Sequence, residues 1–271
     1  MLHDHASQRE SLARARAEEV LGRAPETFVC PLTVLASPAW RGIEADIWRA
    51  GADGRSIILK HFHGDISAYV EVGPALHACA QAGLLGIGPN VIASWPQDGL
   101  IAMEDLGTQW RAGGLHDGID RDLRSAVIDR KKAFQAGAVL EKRTDIFAEI
   151  EMLAAFVRSR NIFAHRDVDA FLDYFNDARA KIAASGCDSA PCHRDGNTSN
   201  LMIGPEKAVK LLDFDMAAIC DPFEDLGCHL VEFYECDADA RLGFEEWHGS
   251  FDEGLFQRSM IYGLADDMRW G

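Results

Sequence analysis

Cys192-His193-Arg194-Asp195-Gly196-Asn197-Thr198-Ser199-Asn200, followed downstream by Leu211-Leu212-Asp213-Phe214-Asp215, is the stretch on which the reading of this chain turns. It sets one aspartate five residues before an asparagine and a second aspartate at the end of an apolar run. Phosphoryl transfer from ATP asks little covalent chemistry of a protein. It asks that charge on the phosphate oxygens be neutralised and the acceptor hydroxyl be held in line. Asp195 has the chemistry to accept the hydroxyl proton, and Asn200 and Asp213 are hard oxygen ligands suited to Mg²⁺. Gly196 to Asn200 would serve equally well as a polar turn. The segment that follows lifts the motif above that reading. Leu201-Met202-Ile203 and Val209-Lys210-Leu211-Leu212 are short apolar runs on either side of Gly204-Pro205, which is the pattern of a hairpin. Such a hairpin returns Asp213 to the side of Asn200.

Upstream, Ser7 with Glu10 three residues on matches a capping box and predicts a helix from there to Leu21, stopped by Gly22. Strand-like runs follow at Phe28 to Leu35, Ile43 to Ala50 and Ser56 to Phe62, with Gly51-Ala52-Asp53-Gly54 as a hairpin turn. Lys60 lies inside the third run. A lysine in such a strand requires an anion or an edge from which to reach water. ATP phosphates and a helix glutamate would meet that need, and Glu71, in a helical segment from Ile66 to Ala82, is the candidate glutamate. Pro89 to Ala93 and Leu100 to Gly107 read as two further strands. From Asp120 to Ala184 the periodicity is helical, with Ile146, Ile150, Leu153, Ala154 and Val157 as one core stripe and Phe171, Leu172, Phe175 and Ala178 as the next.

The composition excludes several classes. A formal net charge of −16 and a pI of about 5.0 give no electrostatic footprint for nucleic acid. No apolar run reaches the roughly 20 residues of a membrane span, and Met1 to His5 is too polar for a signal-peptide core. Seven cysteines without a Cys-x-x-Cys pair predict reduced thiols in a cytoplasmic protein, packed in the core rather than ligating zinc. No Gly-x4-Gly-Lys-Ser/Thr occurs, which argues against a P-loop enzyme. Between Asp221 and Glu253 stand eleven acids, among them Glu224, Asp225 and Glu232, against Arg241 alone. A solvated helix face accounts for part of them, and an acid-rich wall would also draw a cationic acceptor. Phe233, Tyr234, Trp247 and Phe251 are interleaved there, with Trp270 further on, as packing residues or as faces for an ammonium group.

His193 to Leu226, ending in Asp221-Pro222-Phe223-Glu224-Asp225-Leu226, resembles the aminoglycoside phosphotransferase and choline/ethanolamine kinase superfamily. Asp225 to Phe233, Pro191-Cys192-His193 and Asp266 to Gly271 are similar to bacterial members of choline/ethanolamine type. The resemblance implies an α+β, two-lobed, protein-kinase-like fold. Its N-lobe, residues 1–105, is a small antiparallel sheet, and its mainly helical C-lobe is residues 106–271. It implies ATP and Mg²⁺ as cofactors, and transfer of the γ-phosphoryl group to a hydroxyl of a small, amine-bearing acceptor. An aminoglycoside kinase and a catalytically silent nucleotide-binding protein are the alternatives. A protein kinase is disfavoured, because no activation-loop signature follows Asp213. By resemblance, Lys60 pairs with Glu71 and holds the phosphates, and a hinge near Met103, Glu104 and Leu106 receives adenine. Ser37, Arg41 and Gly42 cover the phosphates, in a turn with a single glycine and no Gly-x-Gly-x-x-Gly. Asp215, Glu232 and Asp225 face the metal or the acceptor. Two departures stand out: Asp213-Phe214-Asp215-Met216 lacks the aromatic residue usual in choline kinases, and relatives continue their last helix beyond Trp270-Gly271, a difference that would either open the acceptor pocket or leave it to be closed by another chain. The oligomeric state is not legible in the sequence.

Overall fold

The computed structural model describes residues 2–31, 44–64, 66, 69–162 and 165–270. A sheet and two helices come first. α1 (Leu2–Leu21) precedes β1 (Thr27–Val29), β2 (Ala45–Ala52) and β3 (Arg55–Phe62); α2 (Val72–Leu84), β4 (Val91–Trp95) and β5 (Leu100–Glu104) complete the unit. The five strands form one sheet in the order β1-β2-β3-β5-β4, with every pair antiparallel. Alternation along the central strands sorts the two faces. Ile57 and Leu59 of β3, with Leu100 and Ala102 of β5, pack against Ala13, Ala17 and Leu21 of α1. Phe62 and Ile101 point the other way and join α2 residues Leu76 and Cys79. Lys60, between Leu59 and His61, therefore projects from the α2 face.

Three expectations need correction here. α1 begins at Leu2, so Ser7 is not its cap; the Ser7 carbonyl accepts the Ser11 hydroxyl at 2.8 Å. The helix does end at Gly22, which takes φ +80. The β2–β3 turn is only Asp53-Gly54, both at positive φ (+52 and +73), as a two-residue hairpin of matching twist demands, while Gly51 and Ala52 still pair in β2. The predicted strand from Phe28 is Thr27–Val29, with Cys30 and Pro31 outside it, and residues 32–35 lie outside the described ones.

The remainder is mainly helical. It contains β6 (Arg111–Ala112), α3 (Arg121–Gly137), α4 (Ile146–Ser159), α5 (Val168–Ser185), β7 (Ala190–Cys192), β8 (Leu201–Ile203), β9 (Val209–Leu211) and β10 (Ala218–Cys220). Three helices close the chain: α6 (Phe223–Phe233), α7 (Asp237–His248) and α8 (Glu253–Trp270). β8 and β9 form the expected hairpin, with β6 on its edge, while β7 pairs with β10. Ile146 and Ile150 of α4 meet Phe175 of α5 as their spacing predicts, whereas Phe171 stays 50% exposed. One apolar cluster crosses both halves, from Leu76, Ile87 and Ile101 to Phe134, Leu211 and Phe214. All seven cysteines are free, four of them buried. Among the described residues no helix is long and apolar enough to cross a membrane.

α6 and α8 pack against each other at backbone contact. A Cβ at Gly227 would run into the Ser259 carbonyl and lie 2.7 Å from the Gly263 nitrogen; one at Gly263 would lie 2.6 Å from Val231 Cγ1. α6 in turn receives the loop after β7, where a Cβ at Gly196 would sit 2.6 Å from the Cys228 carbonyl. Overpacking such a contact typically costs one to three kcal/mol, because backbone cannot give way as a side chain can. Gly227→Ala is expected to lower unfolding stability by about 3 kcal/mol, read as a shift of the urea midpoint at unchanged slope. A midpoint equal to that of the unsubstituted protein would refute the close packing of α6 on α8.

Candidate active site

β7 delivers the loop, and the β8–β9 hairpin brings Asp213 back to it. The Leu212 amide donates to the Asn200 carbonyl at 2.7 Å, which fixes the two ends of the hairpin side by side. His193 lies between two carbonyls, with Nδ1 2.7 Å from Asp195 O and Nε2 2.8 Å from Leu212 O. Burial and the nearby Lys131 lower its pKa. Its ring meets Phe214 edge-on, with centroids 4.6 Å apart. Arg194 and Asp213 both adopt left-handed backbone, φ +66 and +61. Non-glycine residues take this conformation at a cost of about 1 kcal/mol each, supplied by surrounding contacts.

The three residues singled out first do converge. Asp195 accepts the Asn200 amide at 2.8 Å on one oxygen and the Asn197 backbone N–H at 3.0 Å on the other. Burial, then the charge on Asp213, pushes Asp195 up to about 7, against the opposing pull of the Asn197 hydrogen bond. A carboxyl with its pKa near neutrality is suited to exchanging a proton with a hydroxyl. Opposite it, Lys60 Nζ donates to Asp213 Oδ1 at 2.8 Å and to both oxygens of Asp215 at 2.7 Å. The lysine keeps only 10% of its side chain exposed, and Asp215 keeps 7%. Burial would lower the lysine pKa, but Asp213 and Asp215 outweigh it and raise it. Burial would raise the Asp213 pKa, and Lys60 overrides it and lowers it; at Asp215 burial and the Asp213 charge win, and the pKa rises.

Of the other expected site residues, Glu71, Asp225 and Glu232 are placed differently. Lys60 is paired with Asp213 and Asp215 rather than with Glu71. Glu71 stands just ahead of α2, 63% exposed, with Lys142 at 3.4 Å. Asp225 is fully buried and cannot touch an acceptor. It accepts the backbone N–H groups of His193 at 3.2 Å and Arg194 at 2.8 Å, and the Gln135 amide at 3.1 Å. Glu232 accepts the Thr198 N–H at 2.7 Å, so it too braces the loop. Met103 packs against the central cluster, Glu104 binds Asn90 at 2.9 Å and Lys210 at 3.3 Å, and Leu106 is half-buried beyond the end of β5. Ser37, Arg41 and Gly42 lie outside the described residues. Much of the acid-rich segment is neutralised internally. Asp221 binds Arg258 and the Tyr262 hydroxyl, Glu224 binds Arg194, Glu246 faces Arg124, and Asp237 and Glu253 clasp Arg241. Trp247 is buried in the α6–α8 cluster, with Tyr234 packed on it.

Sequence reasoning missed the layer beneath the loop. Arg194 is 1% exposed and bound to Glu149 of α4 and Glu224 of α6, and Arg269 of α8 donates to the Arg194 carbonyl at 2.8 Å. Lys131 of α3 approaches the Asp195 carbonyl at 3.5 Å. No local pattern signals these partners, which come from 30 to 75 residues away. Asp213, Asp215 and Asn200 are oxygen donors of the kind Mg²⁺ prefers. Among the described residues no group of three or more His, Cys, Asp or Glu could hold a metal alone.

The same architecture recurs in solved structures. A choline/ethanolamine kinase family protein from Mesorhizobium loti matches with TM-score 0.72 and 18% identity, over 97% of this chain and 84% of that one. The choline kinase LicA from Streptococcus pneumoniae matches with TM-score 0.77 and 13% identity, over 97% and 88%. A type VIII aminoglycoside-3′-phosphotransferase matches with TM-score 0.58 and 17% identity, over 94% and 98%. At these identities the likeness is one of fold. Comparison with the curated proteins finds no match. The family model described as "Phosphotransferase enzyme family" matches residues 36–262. The chain belongs to that family: it is a phosphotransferase of two-lobed α+β fold.

Glu149 links this site to acid stability. Burial alone would raise its pKa, but Arg194, Thr144 and Arg269 hold it down to about 2. A depressed folded-state pKa stabilises fully above the unfolded value of 4.5 and is lost as pH falls from there toward 2. The contribution at neutral pH is about 3 kcal/mol. Glu224 acts in the opposite sense, since burial outweighs Arg194 and raises its pKa. Glu149→Gln should therefore be clearly less stable than the unsubstituted protein at neutral pH and converge with it in acid. Parallel stability curves across that range, in denaturant titrations, would refute the assignment.

Proposed function

We propose that this phosphotransferase moves the γ-phosphoryl group of ATP to a hydroxyl of a small, amine-bearing acceptor of choline or ethanolamine type. The observation that carries the proposal is the pairing of Asp195, oriented by Asn200 and Asn197, with Asp213 across the end of the hairpin. Asp195 receives the proton of the acceptor hydroxyl as the oxygen attacks. Asn200 and Asp213, with Asp215 beside them, would hold Mg²⁺, which neutralises charge on the phosphate oxygens when bound. Lys60 is the cation available to the α- and β-phosphates, and Asp213 and Asp215, which it bonds here, would be the carboxylates that hold a metal. Met103 to Leu106, at the end of β5, form the proposed hinge for adenine. Two of the solved relatives were determined with AMP or ADP, which supports a nucleotide in this cleft.

An amine on the acceptor is supported by the charge around Asp195. Besides burial, Asp213 and Asp266 raise its pKa while Arg269 lowers it, and the formal net charge of −16 adds a negative field that favours a cationic acceptor. An aminoglycoside is a second reading, supported by the fold shared with the aminoglycoside phosphotransferases.

Asp195→Ala is expected to reduce turnover by about a thousandfold, the scale of a lost general base, with Mg-ATP affinity little changed. Retained turnover would end the assignment of Asp195. The acceptor is tested by ATP consumption with Mg²⁺ and choline, ethanolamine, small amino alcohols, sugars or aminoglycosides. Consumption that depends on choline or ethanolamine is the expected result. Dependence on a sugar lacking an amine would overturn the acceptor class while leaving the phosphoryl-transfer chemistry intact.

A further inference from the structure

Arg194 stands between two residues of the site, His193 and Asp195, yet its own side chain turns away from the cleft. Its left-handed backbone makes this reversal: Asp195 faces Asn200 and Asn197, while the guanidinium runs beneath the loop. There Nε donates to Glu224 at 2.8 Å, and Nη1 and Nη2 donate to the two oxygens of Glu149 at 3.1 and 2.6 Å. Nη1 also reaches the carbonyl of Met216 at 3.1 Å, three residues past Asp213. The main chain of Arg194 is held as well, its N–H by Asp225 at 2.8 Å and its carbonyl by Arg269 at 2.8 Å. One residue therefore bonds to α4, α6, α8 and the loop that carries Asp213.

We propose that Arg194 is a positioning residue that keeps Asp195 in register with Asp213, with Glu149 and Glu224 as its anchors. The inference rests on the phosphoryl-transfer reading of those two aspartates. Only a planar fork with several donors can satisfy carboxylates on two helices and a carbonyl on a third segment at once. Stability does not by itself explain the arrangement. Burying an arginine between two carboxylates carries a desolvation penalty, and a well-packed apolar trio is often as stable or more so. What an apolar trio lacks is the directional bond to Met216 O and the orientation it imposes on both loops.

The test uses the full chain with Arg194→Met, Arg194→Lys and the triple substitution Arg194→Met, Glu149→Leu, Glu224→Leu. Amide hydrogen exchange is read in the ligand-free protein at Asn197, Thr198 and Leu212, whose N–H groups bond to Asp195, Glu232 and Asn200. Thermal midpoint, kcat and KM are read with Mg-ATP and the acceptor that the panel identifies. Arg194→Met should speed exchange at those three amides by about tenfold or more, with the β3–β5 amides unaffected. It should lower kcat about a hundredfold, the cost of a misplacement of about 1 Å, with KM for ATP nearly unchanged. Arg194→Lys should recover only part of the loss. The triple variant should regain thermal midpoint without regaining kcat or protection. A triple variant that regains all three, or an Arg194→Met protein that keeps both protection and kcat, would overturn the proposal. If the unsubstituted protein turns over no acceptor of the panel, the acceptor class falls, and the exchange data still decide whether Arg194 holds the two loops together.

Discussion

Three carboxylates, Asp195, Asp213 and Asp215, meet in one partly desolvated cleft, and their mutual repulsion is the constraint on which the rest of the structure depends. Lys60 answers it directly by bonding Asp213 and Asp215 together. It does so from the opposite half of the molecule, so the sheet and the helical half meet at a charge as well as at an apolar cluster. The consequence appears at Asp195, which has no such cation on its carboxylate and is pushed up to about 7 by burial and by Asp213. One lysine thus divides the carboxylates into two kinds. Asp213 and Asp215 are bound to a cation, and Asp195 is not.

Holding such a cleft requires a scaffold that does not yield. The loop from His193 to Asn200 is anchored through its backbone more than through apolar contacts, with Asp225 under His193 and Arg194 and Glu232 under Thr198. Both anchors lie on α6, and α6 is pressed onto α8 at two glycines with no room for a side chain. The acid-rich segment is therefore largely structural. Its buried carboxylates hold loop amides and arginines in place, and its exposed ones, such as Glu235 and Asp252, contribute to the negative field.

How much of this was legible follows from the range of each interaction. The β8–β9 hairpin was readable because its apolar runs and Gly204-Pro205 are contiguous. β3 and its lysine were readable because alternation is a two-residue signal. The helical stripes of α4 and α5 were readable at Ile146, Ile150 and Phe175, and failed at Phe171, where periodicity does not say which face finds a neighbour. Ser7 failed for a related reason: a capping box licenses a helix start without preventing an earlier one. Glu71 failed because lysine and glutamate in successive elements suggest a pair without fixing which other ions come closer.

The sequence by itself brought out Lys60, Asp195, Asn200 and Asp213, the residues proposed to carry the chemistry, and its resemblance to a known family implied the two-lobed class of fold. Those depend on short spacings and on runs of apolar residues that local sterics and hydrophobic burial translate into loop, hairpin and strand. Only the tertiary structure decided which charges pair. Lys60 took Asp213 and Asp215, Asp225 turned inward to hold the loop, and Arg194 reached Glu149 and Glu224. The physical reason is that an ion pair is won by whichever opposite charge the packed backbone brings within about 3 Å in a desolvated setting, and residues 30 to 155 positions apart carry no local signal of that outcome.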